Sequence, residues 1–229
     1  MASKKEVFKG IDISRHQKIA SNGFKAIKDS GIDFVIIRIG GSNGGHYKDP
    51  KFEEFYKGAK EAGLKVGCYY DTGRQFTSRI AGIEDAQHML KLMKGKSFEY
   101  PVYADVEVVA TPYRALATDA TIAFCDALEK AGYFTGVYAS DVSGFKERLI
   151  LDKVKRFTLW VARYGKKPEY VKKYDIHQYS SSGIVAGIQN KVDLDESYVD
   201  FASIIKKKHL NRMWGMLWIL QFMTILKKL

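Results

Sequence analysis

A chain of 229 residues that is 46% hydrophobic and 28% charged has the apolar content for one globular domain of barrel or layered type, which excludes a disordered chain. Its formal net charge of +11 favours an anionic partner. Bacterial wall polymers and nucleic acid both qualify, but no zinc-finger spacing, helix-turn-helix signature or RNP-like aromatic motif accompanies the basic residues, which argues against nucleic acid.

In chain order, residues 7–14 read as a short strand that carries Asp12 to its end, followed by a helix over about 22–30. Residues 33–39 form a nearly continuous apolar run of the kind buried on both faces of a parallel sheet, with Arg38 inside it. The glycine run 40–45 has neither a Gly-Lys-Ser/Thr ending nor a Gly-x-Gly-x-x-Gly register, so it reads as a flexible loop and not as a phosphate cradle. Asp49-Pro50 starts a helix to about Ala62, with Phe52, Phe55, Tyr56 and Ala59 at helical spacing and Gly63 closing it. A third strand spans 64–70 and a helix about 83–93. Another amphipathic helix at 119–131, capped by Gly132, precedes a strand at 133–138. Strands at 158–164, 175–179 and 191–194 complete the set, joined by loops too short for full helices. Cys68 on a strand and Cys125 on a helix sit in apolar settings that suit buried free thiols, not a disulfide or a metal site.

The organising stretch is the fourth strand, 100–108, with Asp105 and Glu107 two residues apart. Alternation on a strand places both carboxylates and Tyr103 on one face, and Val102, Ala104 and Val106 on the other. An isolated Asp-x-Glu also ends ordinary solvated strands, so the weight lies in what gathers around it. Repeated strand–helix units predict a parallel, irregular (β/α) barrel of α/β class, like a TIM barrel with eight strands but about five helices. Asp12, Asp105, Glu107 and Asp193 then fall at or near the carboxyl ends of the first, fourth and eighth strands, where the reactive groups of such barrels collect. Tyr69, Tyr70, Tyr103, Tyr138, Trp160, Tyr164 and Tyr179 also lie late in strands. Aromatic rings around paired carboxylates suit a carbohydrate cleft in which rings stack on sugar faces and one carboxyl donates a proton to a glycosidic bond.

These residues resemble the glycoside hydrolase family 25 lysozymes, the Chalaropsis-type muramidases common among phage endolysins. The resemblance is carried by Gly10-Ile11-Asp12-Ile13-Ser14 with His16, the strand at 36–39, Gly67-Cys68-Tyr69-Tyr70, Ala104-Asp105-Val106-Glu107, Gly136-Val137-Tyr138, Leu159-Trp160-Val161-Ala162-Arg163-Tyr164, Gln178-Tyr179-Ser180 and Val192-Asp193-Leu194-Asp195. It runs from about residue 7 to 201 in the family's order. It implies hydrolysis of the β-1,4 bond between N-acetylmuramic acid and N-acetylglucosamine in peptidoglycan, with no cofactor and no metal. By position, Glu107 is similar to the general acid, and Asp12, Asp105 and Asp193 to the carboxylates that stabilise the reacting sugar. Arg38, Tyr69, Tyr103, Tyr138, Trp160 and Tyr179 take the substrate-binding positions. The second step is left open between direct action of a carboxylate and attack by the substrate's own N-acetyl group supported by an Asp. Three positions depart from the pattern: Tyr70 where many members carry His, His177 where many carry Trp, and Asp195 where Asn is common. Family 18 chitinases share an Asp-x-Glu strand end, but they need Asp at the places held here by Tyr103 and Tyr100.

The resemblance stops near residue 201, which divides the chain into a catalytic barrel, 1–205, and a basic hydrophobic tail, 206–229. Six of the 37 Lys and Arg lie in that tail with no acid beside them, leaving the body 31 basic against 26 acidic residues, a net of +5. The uncharged run 213–226 is shorter than the ~20 residues a spanning helix needs, so weak contact with an anionic membrane surface is the expectation for it, alongside a truncation or fusion scar. No signal peptide precedes the first strand, so the expected life history is cytoplasmic synthesis, release, and action on the wall as a monomer. The competing class is a non-enzymatic wall-binding or membrane-active protein whose tail does the work.

Overall fold

The computed structural model describes residues 7–212; the apolar run expected at 213–226 lies outside them. β1 (Phe8–Ile13) pairs in parallel with β2 (Phe34–Gly41), and from there β4 (Lys65–Asp71), β5 (Val102–Asp105), β6 (Thr135–Ser140), β7 (Thr158–Ala162) and β8 (Ile176–Gly183) follow in parallel order. β9 (Val192–Ser197) joins β8 to β1 and closes an eight-stranded barrel, with the two-residue β3 (Tyr47–Lys48) appended to β2. All eight residues of β2 are buried, because the strand has two apolar faces. Val35, Ile37 and Ile39 face the layer beneath the helices, whereas Phe34 and Ile36 face the barrel interior with Tyr100, Tyr103, Trp160, Ile176 and Phe201. Both cysteines are free and buried.

The outer layer contains α1 (Gly23–Asp29), α2 (Phe52–Glu61), α3 (Arg79–Leu92) and α4 (Arg114–Lys130), with the short α5 (Leu151–Val154) and α6 (Phe201–Lys207). α3 begins on Ser78, whose Oγ accepts the Ala81 N–H, an ordinary amino-terminal cap. α3 and α4 cross closely at Gly82, where a Cβ would stand 2.2 Å from the Ala120 carbonyl oxygen. No helix among the described residues is long and apolar enough to cross a membrane.

Three expectations need correction. The barrel is mixed, not wholly parallel: β9 runs antiparallel to both β8 and β1. Residues 184–191 between β8 and β9 are too few for the crossover of a dozen or more residues that a parallel return requires. Asp193 therefore sits at the beginning of its strand, yet it reaches the same mouth as the carboxyl ends of the others and lies opposite Asp12 in the ladder. The glycine run is part of a hairpin and not a free loop: a Cβ on Gly40 would stand 2.2 Å from the Tyr47 carbonyl oxygen, and one on Gly41 2.4 Å from that of Asp71.

The third concerns the boundary drawn at residue 205, because the barrel's own contacts continue to Asn211. Asn211 is fully buried with φ of 55°, a left-handed conformation that Asn tolerates. Its Oδ1 accepts the Phe134 N–H at 2.7 Å, its Nδ2 donates to the Tyr100 carbonyl at 2.9 Å, and its backbone N–H donates to the Gly132 carbonyl at 3.0 Å. It plugs the end of the barrel opposite the mouth. Asn211→Ala strands a buried donor and a buried acceptor, so it is expected to lower unfolding free energy by about 1–3 kcal/mol in a denaturant titration. A chain ending after residue 205 should lose at least as much, whereas one ending after 212 keeps these bonds.

Candidate active site

β1 delivers Asp12 one residue before its end, β5 delivers Asp105 as its last residue, and β9 delivers Asp193 as its second. Glu107 lies two residues beyond β5, so the strand is shorter than the sequence implied, but the carboxyl still turns into the mouth. The four acids, with Tyr69, Tyr138, Trp160, Tyr164 and Gln178, line a narrow cavity of about 150 Å³. An open hollow of about 370 Å³, also lined by Glu107 and Tyr164, continues from it past Ser140, Ser143 and Arg163. A larger hollow of about 650 Å³ between α1 and α2 contains no convergent acids from the mouth and is a surface groove.

Trp160 forms the floor, fully buried, with ring centroids 4.3 Å from Tyr138 and 6.1 Å from Tyr69. Its indole N–H donates to Asp195 Oδ1 at 2.8 Å. Gln178 ties the walls together: Nε2 donates to Asp12 Oδ2 at 2.6 Å, while Oε1 accepts the hydroxyls of Tyr138 at 2.9 Å and Tyr164 at 3.0 Å. Arg148 anchors the segment after Glu107 by donating to the Val109 carbonyl at 2.7 Å and the Ser143 carbonyl at 2.6 Å.

All four acids are held above the usual carboxylate range. For Asp12 the cause is burial, then the charges of Asp195 and Asp193, with the Gln178 hydrogen bond opposing. For Asp105 it is burial, then Glu107 and Asp71, with Arg38 opposing. Asp193 is pushed up to about 6 by burial. Glu107 opens to solvent on one side and is enclosed on the other; that partial loss of hydration raises its carboxyl, Asp71 and Asp193 add to it, and Arg148 pulls the other way. Sequence reasoning names Asp105 as the like charge paired with Glu107, and the two do repel each other; Asp71, which ends β4 opposite Asp105, adds a second negative charge that acts on both. A cluster of acids whose pKa values are raised by burial and mutual repulsion is where a proton donor is expected.

A model of glycosyl hydrolases family 25 matches residues 11–188. The chain belongs to that family. It is similar to the autolytic lysozyme of Clostridium acetobutylicum, at 36% identity over 189 residues, 82% of this chain and 55% of that protein; the chain thus spans about half the length of this curated relative. The CTP1L endolysin structure is 25% identical with a TM-score of 0.75, covering 87% of this chain and 70% of that one. The modular autolysin LytC from Streptococcus pneumoniae, solved with a synthetic peptidoglycan ligand, shares the fold at 24% identity and a TM-score of 0.70, over 85% of this chain and 47% of that one.

Within this family 25 barrel, Asp12, Asp105, Glu107, Asp193, Tyr69, Tyr138 and Trp160 come together as the sequence suggests. Three others do not reach the cavity. Arg38 is buried in the wall with Nε on Asp49 Oδ2 at 2.8 Å. Tyr103 lies deeper, its ring centroid 5.2 Å from that of Trp160. Tyr179 follows inward-facing Gln178 and so points outward, with its ring near His177. Gln178 and Asp71 are given no role by the sequence, and Asp195 enters there only as a departure from the family pattern; the signal for Gln178 and Asp195 was parity, since each is two residues from an inward neighbour.

Because Asp193 is held protonated above its unfolded value, the stability this gives is complete below about pH 4 and is lost as pH rises through about 6. Asp193→Asn should therefore melt higher than wild type at pH 7 and close to it at pH 4. The gain is at most about 2 kcal/mol, discounted for solvent on the open side of the carboxyl.

Proposed function

We propose that this barrel is a muramidase that hydrolyses the β-1,4 bond between N-acetylmuramic acid and N-acetylglucosamine in bacterial peptidoglycan. The observation that carries the reading is the place of Glu107: a carboxyl whose pKa its surroundings raise, at the junction of the acid-lined cavity and the open hollow, facing Asp12, Asp105 and Asp193. A glycan strand laid along the two hollows has sugar on both sides of Glu107, as cleavage within a polymer requires. Family membership and the likeness to an autolytic lysozyme support the same chemistry.

In the first step Glu107 donates its proton to the glycosidic oxygen while the bond from that oxygen to the anomeric carbon breaks, and the N-acetylglucosamine side leaves as an alcohol. Positive charge grows on the muramic acid ring. Asp12 and Asp193, facing each other across the β1–β9 ladder, stabilise it directly or through the substrate's N-acetyl oxygen. Water then adds to the anomeric carbon and returns a proton to Glu107. Trp160, Tyr138 and Tyr69 supply the apolar floor on which a sugar face packs.

Turbidity loss of a Gram-positive wall suspension, with new reducing ends on muramic acid, is the direct test. Release of free amino groups in place of reducing ends would overturn the reading. Glu107→Gln is expected to lower the rate about 10²–10⁴-fold, the range for a lost acid–base group. Because the acid must be protonated to act, the wild-type rate should fall on the alkaline side as Glu107 ionises. A wall-binding protein without hydrolysis would lyse equally well after the Glu107→Gln substitution.

A further inference from the structure

Of the three departures from the family pattern, Tyr70 and His177 face away from the barrel interior: Tyr70 packs in the layer under the helices, and His177 Nε2 lies 2.9 Å from the Arg163 carbonyl. Asp195 faces inward and is 0% exposed. On β9 it stands opposite Gly10 of β1 and opposite Gln178 of β8. Asp12 is two residues beyond Gly10 on the same face, which makes Asp12 and Asp195 diagonal neighbours across the ladder. Their carboxyls are within hydrogen-bond reach of each other.

Each carboxyl already has one partner. Asp195 Oδ1 accepts the Trp160 N–H at 2.8 Å, and Asp12 Oδ2 accepts Gln178 Nε2–H at 2.6 Å. Asp195 Oδ2 is buried and has no donor among the described residues. Two anions side by side here would leave that oxygen unsatisfied and repel each other in a poorly hydrated interior. One proton placed on Asp195 Oδ2 resolves both problems, since it fills the empty position and donates to Asp12. Asp12 is the better anion of the two because Gln178 donates to it and it borders the cavity.

We propose that Asp195 is a positioning residue held as the neutral acid, accepting from Trp160 and donating its O–H to Asp12, so that floor and anion are aligned as one unit. The purpose of that alignment rests on the muramidase reading; the proton itself does not. The surroundings agree: burial pushes both carboxyls well above the usual range, and Asp193 on β9 raises each further. The other titratable groups that act on the pair are Asp105 on β5, the hydroxyls of Tyr69, Tyr103 and Tyr138 on β4, β5 and β6, that of Tyr179 on β8 from outside the barrel wall, and, at the rim, Tyr164 and Glu107. All are acids or phenols and none offers a positive charge. Arg38 on β2 is bound to Asp49 and opposes the rise of Asp105.

The variant Asp195→Asn makes the test, because its amide can accept from Trp160 and donate to Asp12 without a titratable proton. Infrared spectra at neutral pH should contain a protonated-carboxyl band in wild type that Asp195→Asn lacks. The raised acid gives wild type stability that is complete below the unfolded carboxylate pKa and is lost as pH rises toward the folded value. The melting temperature of Asp195→Asn should therefore match or exceed wild type at neutral pH, with the gap shrinking on acidification. On walls, Asp195→Asn should keep the wild-type kcat, while Asp195→Ala, which aligns nothing, should lose on the order of 10–10²-fold in kcat with KM little changed. An unchanged carboxyl band, a lower melting temperature at neutral pH, or failure of Asp195→Asn to fold would each overturn the proposal. If band and melting behave as expected but wild type releases no reducing ends, the muramidase reading fails and the proton assignment stands.

Discussion

Carboxyl groups from β1, β5 and β9, with Glu107 just beyond β5, point into one end of a closed barrel, and their mutual repulsion in a poorly hydrated space is the constraint the site must satisfy. The chain meets it with neutral donors more than with cations. Gln178 reaches Asp12, the Trp160 indole reaches Asp195, and Arg38, the cation of the wall, is shared between its bond to Asp49 and its pull on Asp105. A neutral donor holds a carboxyl in place without pulling its pKa down as far as an ion pair would. The carboxyls are therefore held above their ordinary pKa values, which favours a proton donor among them, and those that ionise cost folding stability as pH rises. This is the usual exchange at a reactive site, in which groups that would be better separated for stability are kept together by a rigid frame.

The frame depends on barrel closure. Were β9 parallel, Asp193 would start its strand at the far end from Asp12. The short connection from β8 forces the reversal, and the reversal carries Asp193 to the mouth in register with Asp12. The same ladder puts Asp195 one inward step deeper. One strand thus supplies both an acid at the cavity and an acid beneath it, and the spacing between them is that of the pleat.

Much of this was legible from residue type and order. The two-faced β2, the strand ends bearing Asp12 and Asp105, and the aromatic residues that make the floor all follow from alternation and from where barrels gather their chemistry. What sequence could not give was phase at the irregular strands and the partners of loops. Tyr179 and Gln178 are adjacent, and only closure of the barrel decides that Gln178 looks in. Asp71 lies just past the strand expected at 64–70, and only the pairing of β4 with β5 brings it opposite Asp105. Asn211 lay beyond the reach of any periodic pattern, because its role is set by loops at Gly132, Phe134 and Tyr100 that are far from it in sequence.

The inward parity of β8 and β9 also explains why Gln178 matters more than its single side chain suggests. It is the cross-strand partner of Asp195 and the donor to Asp12, and it accepts from the two tyrosines that border the cavity and the outer hollow. An amide can do this only because it presents a donor and an acceptor at once; a carboxylate there would repel Asp12, and an aliphatic side chain would leave two hydroxyls and a carboxylate without that partner. The orientation of the amide is in turn dictated by its neighbours, since Asp12 needs a hydrogen and the phenols need a lone pair. The position of the anion, the tilt of Tyr138 over Trp160 and the rim residue Tyr164 are consequently one coupled arrangement, and a change at any of them is felt at the others.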